Sequence, residues 1–431
     1  MNYPVWELGT YGGGLLIAII ATVHVYLSHF AVGGGLFLVL TEMKAYREDD
    51  QGILDYTRRH TRFFLLVTMV LGALTGVGIW LVISVVNPGA TSLLIHTFVF
   101  AWGTEWVFFL VEIVSLLVYY YTFGRMERRR HLAVGWIYFI AAWLSLFVIG
   151  AIVAFMLSPG SWTADQSFWS GWFNPTFWPS LVFRTCLALI LAGVYGLITA
   201  SFIKESGLRQ RLVRYCSAWL LLPFIVLVPA GWWYLDSFPP LARAMVLGRS
   251  PDLVAFVRAF LWAGPLVVVA GLVIMARLPR PVQQGLALFI LLAAFVHMGS
   301  FEAVRESARR PYVINGYLYS NGVLKSQLPR LQSQGLLAGA RWVRVRDARG
   351  SDPLLAGREI FRLACSACHS QGGARNDIIP RVRRLDSQGL DRVLVEMGRG
   401  LDYMPPFPGT ARERRVLAAY LERRFGRARA E

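Results

Sequence analysis

The sequence predicts an all-α membrane protein, a polytopic bundle of about eight transmembrane helices followed by a small helical domain. Composition and pattern both lead there. Of 431 residues, 55% are hydrophobic and only 16% charged, with a mean hydropathy of +0.48, an apolar share above that of ordinary soluble domains. Apolar runs long enough to cross a bilayer lie near 14–43, 63–86, 93–123, 132–157, 180–203, 215–236, 257–276 and 285–304.

The first run begins the bundle. Met1 to Thr10 has no basic stretch and the apolar segment behind it is too long for a secretory leader, so a first spanning helix is expected. The connections then alternate in charge. Lys44, Arg47, Arg58, Arg59 and Arg62 fall in the first, Arg125 and Arg128 to Arg130 in the third, Lys204, Arg209, Arg211 and Arg214 in the fifth, and Arg277 and Arg280 in the seventh. By the positive-inside rule these face the cytoplasm. The second connection, around Asn87 to Ala90, and the fourth, Ser158 to Pro179, carry no Lys or Arg, and the fourth is rich in Trp. The sixth, Phe238 to Ala255, carries Arg243 and Arg249 and is the weakest fit to the alternation. An even number of spans puts both termini on one side, the periplasmic side of a bacterial inner (cytoplasmic) membrane.

After Phe301 the composition changes. Pro311, Asn315-Gly316 and Asn321-Gly322 are turn signals. The expected organisation is a bundle at 1–304, a periplasmic linker at 305–349 and a compact domain at 350–431. The net charge of +17 comes from short basic clusters between apolar runs and from the last quarter of the chain, which reads as topology signals and a basic soluble tail, with no nucleic-acid partner. Cys186 and Cys216 lie in or beside apolar runs and read as small buried hydrophobes.

The most specific motif is Cys365-Ser366-Ala367-Cys368-His369. At this spacing two thiols add to the two vinyl groups of one haem, and the following imidazole binds its iron. One covalent haem c is expected, on Cys365 and Cys368, with His369 as proximal ligand. A zinc or redox reading lacks the second cysteine pair it would need. Met404-Pro405-Pro406 follows and resembles the Met-Pro segment that supplies the sixth ligand in class I cytochromes c, which makes Met404 the expected distal ligand; Met397 or water is the alternative. Gly357 and Phe361 precede the motif on a helix-like stretch, and Ala411 to Phe425 is an amphipathic closing helix. Haem attachment occurs outside the cytoplasm, in agreement with the charge-derived topology.

Ionisable groups in hydrocarbon are costly and therefore functional candidates. His24 and His29 lie in the first helix, His96 at the start of the third with Glu105 and Glu112 behind it, and His297 and Glu302 near the end of the eighth. His24, His96, His297 and Glu302 are expected in the outer half of the bilayer. His24, His29, His96 and His297 are candidate ligands of b haem. His24 and His29, five residues apart, point about 140° apart and would not serve one iron. Glu105 and Glu112 share a helix face and are candidate haem-site or proton-carrying carboxylates, with an ion pair to Arg184 as the structural alternative. His60 and His131 sit among arginines and are expected as solvated surface histidines.

His24 with Glu42 on the same helix, Gly72-Ala73-Leu74-Thr75-Gly76-Val77, Glu105 and Glu112, Met156-Leu157-Ser158-Pro159-Gly160, and Glu306-Ser307-Ala308-Arg309-Arg310-Pro311-Tyr312 together resemble subunit I of the cytochrome bd quinol oxidases, over roughly residues 1–312. The resemblance implies that His24 and Glu306 are axial haem ligands and that Glu105 and Glu112 belong to the haem or proton site. Where that family has the histidine of its low-spin b haem, this chain reads Phe183-Arg184-Thr185; Arg258-Ala259-Phe260-Leu261 has no partner methionine, and the sixth connection is too short for the family's quinol loop. His29, His96 and His297 then look like a rebuilt ligand set.

The expected function is a membrane-bound b/c-type cytochrome, an oxidoreductase or electron-transfer subunit of the respiratory chain. It would move electrons between the quinone pool or other redox subunits and a periplasmic carrier through one or more b haems and one haem c. One alternative is a terminal oxidase subunit fed with electrons through haem c. The other is a haem-free membrane anchor for the c domain, against which the intramembrane histidines argue. Arginines throughout 381–429 are expected to steer an acidic carrier.

Overall fold

The computed structural model describes residues 3–6, 8–350, 352–374, 376–401 and 403–426. Among the described residues eight helices are long and apolar enough to cross a membrane: α1 (Gly13–Glu48), α2 (Gln51–Val86), α3 (Val99–Thr122), α4 (Arg128–Leu157), α5 (Phe177–Ser201), α6 (Ser206–Asp236), α7 (Leu253–Val273) and α8 (Arg280–Ala308). The protein is thus a polytopic helical membrane protein, as its hydropathy predicts. The run at 93–123 is broken, however. Phe98 leaves the helical region (φ −122°, ψ 34°) and separates α3 from a short helix, Pro88–Thr97. The basic first and third connections are largely helical as well, because α2 starts at Gln51 and α4 at Arg128.

The chain forms two compact units: residues 21–77 with 98–308, and residues 1–20 with 78–97 and 309–431. The unit boundaries therefore cross α1 and α2, unlike the division at 304 and 350 read from composition.

In the larger unit α5 is the central element, apolar and buried nearly all round, as expected of a helix enclosed by others. It packs against α4, α6 and α8, while α3 pairs with α4 and α7 with α8. Small residues permit the closest approaches. A Cβ on Gly33 of α1 would stand 1.9 Å from the Ala188 carbonyl of α5, so the two backbones are nearly in contact there. Midway along α2 a π-helical turn, Leu66–Gly72, shifts the helix register just before Ala73 to Val77, a device common at functional positions.

In the smaller unit the expected linker is folded. Residues Tyr312–Ile314 and Leu318–Tyr319 form an antiparallel pair, and Leu336 and Leu337 enter the core of the small domain. Their backbone N–H groups donate to Glu413 at 3.0 and 2.9 Å. Glu413 also completes the capping box of the closing helix with Thr410, satisfying orphan donors at the helix start. Three helices frame this domain: α9 (Pro353–Ala364), α10 (Ser387–Glu396) and α11 (Ala411–Phe425). Helices α9 and α11 cross at Gly357, where a Cβ would meet Tyr420 Cβ at 2.3 Å. Gly357→Val is accordingly expected to destabilise this domain by about 1–3 kcal/mol. It would be read as a lower thermal midpoint of the domain's own absorbance with no change in that of the bundle.

Candidate functional site

The Cys365–His369 loop continues directly from α9. Cys365 is the C-terminal cap, and the N–H groups of Cys368 and His369 both reach back to its carbonyl at 3.1 and 2.9 Å. One turn therefore brings both cysteines and the histidine to the same place. Asn376, held at φ 50°, clamps the loop from the far side. Its side-chain amide donates to the Cys368 carbonyl at 2.7 Å, and its own carbonyl accepts from His369 Nδ1 at 3.2 Å. A carbonyl can only accept, so Nδ1 carries the proton and Nε2 is the nitrogen left for a metal. Burial is the main influence pushing the His369 pKa down to about 4, with Arg381 and Arg310 acting the same way. The ring is neutral at physiological pH, the form that ligates iron. Burial likewise pushes the Cys365 thiol up to about 12, and among the described residues no disulfide ties it. Met404 packs at the edge of the same core and Met397 inside it. These groups fit a covalent haem. Changing Cys365 and Cys368 together to Ala is expected to abolish the covalent haem band on a denaturing gel, whereas either single variant retains one thioether link.

In the bundle, His24 and His297 share one arrangement. His24 Nδ1 lies 3.2 Å from Thr75 Oγ1, whose own proton goes to the carbonyls of Leu71 and Gly72. His297 Nδ1 donates to the Phe260 carbonyl at 3.0 Å, and its ring is stacked on Phe260 at 4.3 Å. Each ring faces a glycine, Gly76 on α2 and Gly264 on α7, where a Cβ would come within 3.2 and 3.1 Å of Cε1. His297 Nε2 is buried without a partner, and a buried unpaired nitrogen calls for an explanation such as a metal. Helices α1 and α8 touch at Thr22 and Gly299. Each histidine is two residues, or about 200° of turn, from that contact, so His24 faces α2 and His297 faces α7.

Other expected ligands are placed differently. His29 donates Nδ1–H to Val25 at 2.8 Å, and its Nε2 lies 3.4 Å from Arg184 Nη1. No nitrogen is left for iron. Arg184 in turn pairs with Glu302 at 2.7 Å and Glu302 with Arg305 at 2.9 Å, all three buried; Arg184 is therefore not the partner of Glu105 or Glu112. Glu306 lies 3.6 Å from Arg305. His96 is exposed, in the short helix Pro88–Thr97 rather than in a spanning one, with Nδ1 on the Ser92 carbonyl at 2.7 Å. Glu105 accepts from Ser145 Oγ at 3.1 Å, and Glu112 follows seven residues on, on the same face of the helix.

Two histidines expected at the surface are buried. His60 is fully enclosed, with Nδ1 2.8 Å from Thr199 Oγ1 and Nε2 unpartnered. It lies on the inward face of α2 with Ile53, Tyr56, Thr57, Thr61 and Phe64. Their 3, 4, 7, 8 spacing is a helical signal that the flanking arginines obscure. His131 is buried against Glu42 at 2.7 Å, while Arg128 to Arg130 just before it are exposed.

A membrane bundle with buried histidines, joined to a helical domain bearing a Cys-x-x-Cys-His loop, defines the class: a membrane-bound respiratory cytochrome. The pattern of the cytochrome bd terminal oxidase subunit I family matches residues 15–237, and that of the cbb3-type cytochrome c oxidase subunit III matches residues 352–421. The chain belongs to the cytochrome bd terminal oxidase subunit I family and carries a cbb3-type cytochrome c domain. Among solved structures it is similar to the bd oxidase from Geobacillus thermodenitrificans, with 15% identity over 70% of this chain and 88% of that one and a TM-score of 0.63, a likeness of fold. Comparison with curated proteins gave no match.

Proposed function

We propose that this respiratory electron-transfer protein carries electrons between the quinone pool, or a membrane redox subunit, and a periplasmic carrier through b haems in the bundle and one haem c in the small domain. The observation that carries the reading is His297. Its tautomer is fixed by Phe260 and its Nε2, like that of His60, is buried without a partner; in the apolar part of a spanning helix a metal would relieve that cost. His24, tethered to Thr75 and opposite Gly76, would hold a second b haem. In the small domain Cys365, Cys368, His369 and Met404 would hold haem c. The haems supply a one-electron couple; the chain sets its potential through ligand identity, burial and nearby charge. The basic connections, which by the positive-inside rule favour the cytoplasmic side, support a periplasmic place for both termini and the c domain. Exposed Arg383, Arg384, Arg392, Arg412 and Arg415 give that domain a basic face suited to an acidic carrier. Arg427 and Arg429 lie outside the described residues.

Oxygen reduction is a second reading, favoured by two features. His24 and His297 face different flanks, which would leave each iron one histidine, and Glu105, hydrogen-bonded to Ser145, and Glu112 on the same face would supply proton carriers in the bundle. Stopped-flow reduction of the purified protein tests both readings. With a soluble acidic donor, haem c is expected to be reduced first and b haem after it. Oxygen uptake by the reduced protein favours the second reading, and its absence favours the conduit. Reduction of haem c with no following b phase would count against both.

A further inference from the structure

We infer that Glu42, His131, Tyr119 and Tyr46 form a proton-holding site at the arginine-rich end of the bundle and that it feeds Glu112 and Glu105. The inference rests on the reading that the redox centre in the bundle takes up protons when reduced. Glu42, near the end of α1, has no exposed surface. It accepts from Tyr46 at 2.9 Å and Tyr119 at 2.5 Å, and it meets His131 Nδ1 at 2.7 Å.

The opposite ring nitrogen, His131 Nε2, lies 2.8 Å from the Tyr119 backbone carbonyl. A carbonyl only accepts, so Nε2 keeps its hydrogen throughout. One mobile proton then remains between Nδ1 and the Glu42 carboxyl, and the loaded pair is neutral wherever that proton lies. Giving it up leaves a carboxylate held by two tyrosine hydroxyls beside a neutral imidazole. The charged state is thus solvated from within, as a site that must load and unload requires.

The cluster has an outlet and an inlet. Glu105, Glu112 and Tyr119 recur at seven-residue steps on α3, which keeps them on one face about 10 Å apart along the axis. Ser145 donates to Glu105 at the far end at 3.1 Å. On the other side Tyr46 is half-exposed, and the Arg128 guanidinium lies 4.6 Å from its ring centroid. A proton would pass from water at the Tyr46 edge to Glu42–His131, then past the Tyr119 hydroxyl to the Glu112 carboxylate, with no change in electron count. A purely structural ion pair would not need the seven-residue stripe of Tyr119, Glu112 and Glu105 that leads away from it.

The test is proton uptake, followed with a pH-sensitive dye, on reduction of the full-length haem-loaded protein under anaerobic conditions. Wild type is expected to take up protons. Glu42→Gln and Tyr119→Phe should slow that uptake by about 10²-fold, with haem content and the first phase of haem reduction unchanged. Tyr119→Phe keeps the ring that stacks on His131 at 4.2 Å, so it decides the matter should Glu42→Gln fail to fold. Wild-type uptake kinetics in Tyr119→Phe would overturn the inference while leaving the proton-coupled reading intact. No proton uptake by wild type would overturn that reading itself.

Discussion

His297→Ala is expected to remove one b haem from the bundle while haem c stays at full occupancy. Its side chain is fixed at one nitrogen by the Phe260 carbonyl, by stacking at 4.3 Å and by Gly264 at its edge. Alanine removes the ligand without disturbing the Cys365–His369 loop, which belongs to the other compact unit. The reduced-minus-oxidised spectrum should lose part of its b absorbance and none of its c absorbance. His24→Ala should remove a different share, because the two histidines face different helices. His29→Ala should remove none, because both of its ring nitrogens are already engaged. Full b-haem retention in both His24→Ala and His297→Ala would sink the ligand assignment.

Glu302→Leu should be among the most damaging changes to stability. Arg184, Glu302 and Arg305 are each more than nine-tenths buried, and Glu302 lies between the two guanidinium groups. Removing the carboxylate leaves Arg184 a buried cation without its ion-pair partner and Arg305 with only the 3.6 Å contact to Glu306, at a cost of about 3–5 kcal/mol. The midpoint of thermal inactivation in detergent should fall sharply. Replacing the three together, as Arg184→Met, Glu302→Leu and Arg305→Met, should restore most of it, because well-packed apolar residues are often as stable as a buried ion triad. A triple variant no more stable than Glu302→Leu would mean that shape rather than charge governs this position.

Much of the architecture is readable because each signal is local. Hydropathy alone marks the eight spans, since lipid demands long apolar helices. The Cys365–His369 motif is contiguous, so its chemistry is visible without a fold. The misplaced residues are those whose environment depends on distant partners. His131 follows three exposed arginines, and its burial is set by Glu42, in another helix. His60 carries a readable helical periodicity, but its charged neighbours outweigh that periodicity in any window average. The role of Arg184 needs Glu302 from α8 and His29 from α1. The stretch expected as a linker has its apolar residues scattered among turn signals with no helical or strand period, and the place of Leu336 and Leu337 in the core depends on distant Glu413, which takes their N–H groups. His24 and His297 are recognisable as costly groups in hydrocarbon, but that they face different helices follows only from the α1–α8 contact at Thr22 and Gly299.

A pyridine haemochrome on the purified full-length protein tests the central claim most directly, since it counts haem types after the fold is destroyed. Haem b together with one haem c is the predicted result. Haem c alone would contradict the account, leaving the bundle as an anchor and the buried Nε2 of His297 without a metal.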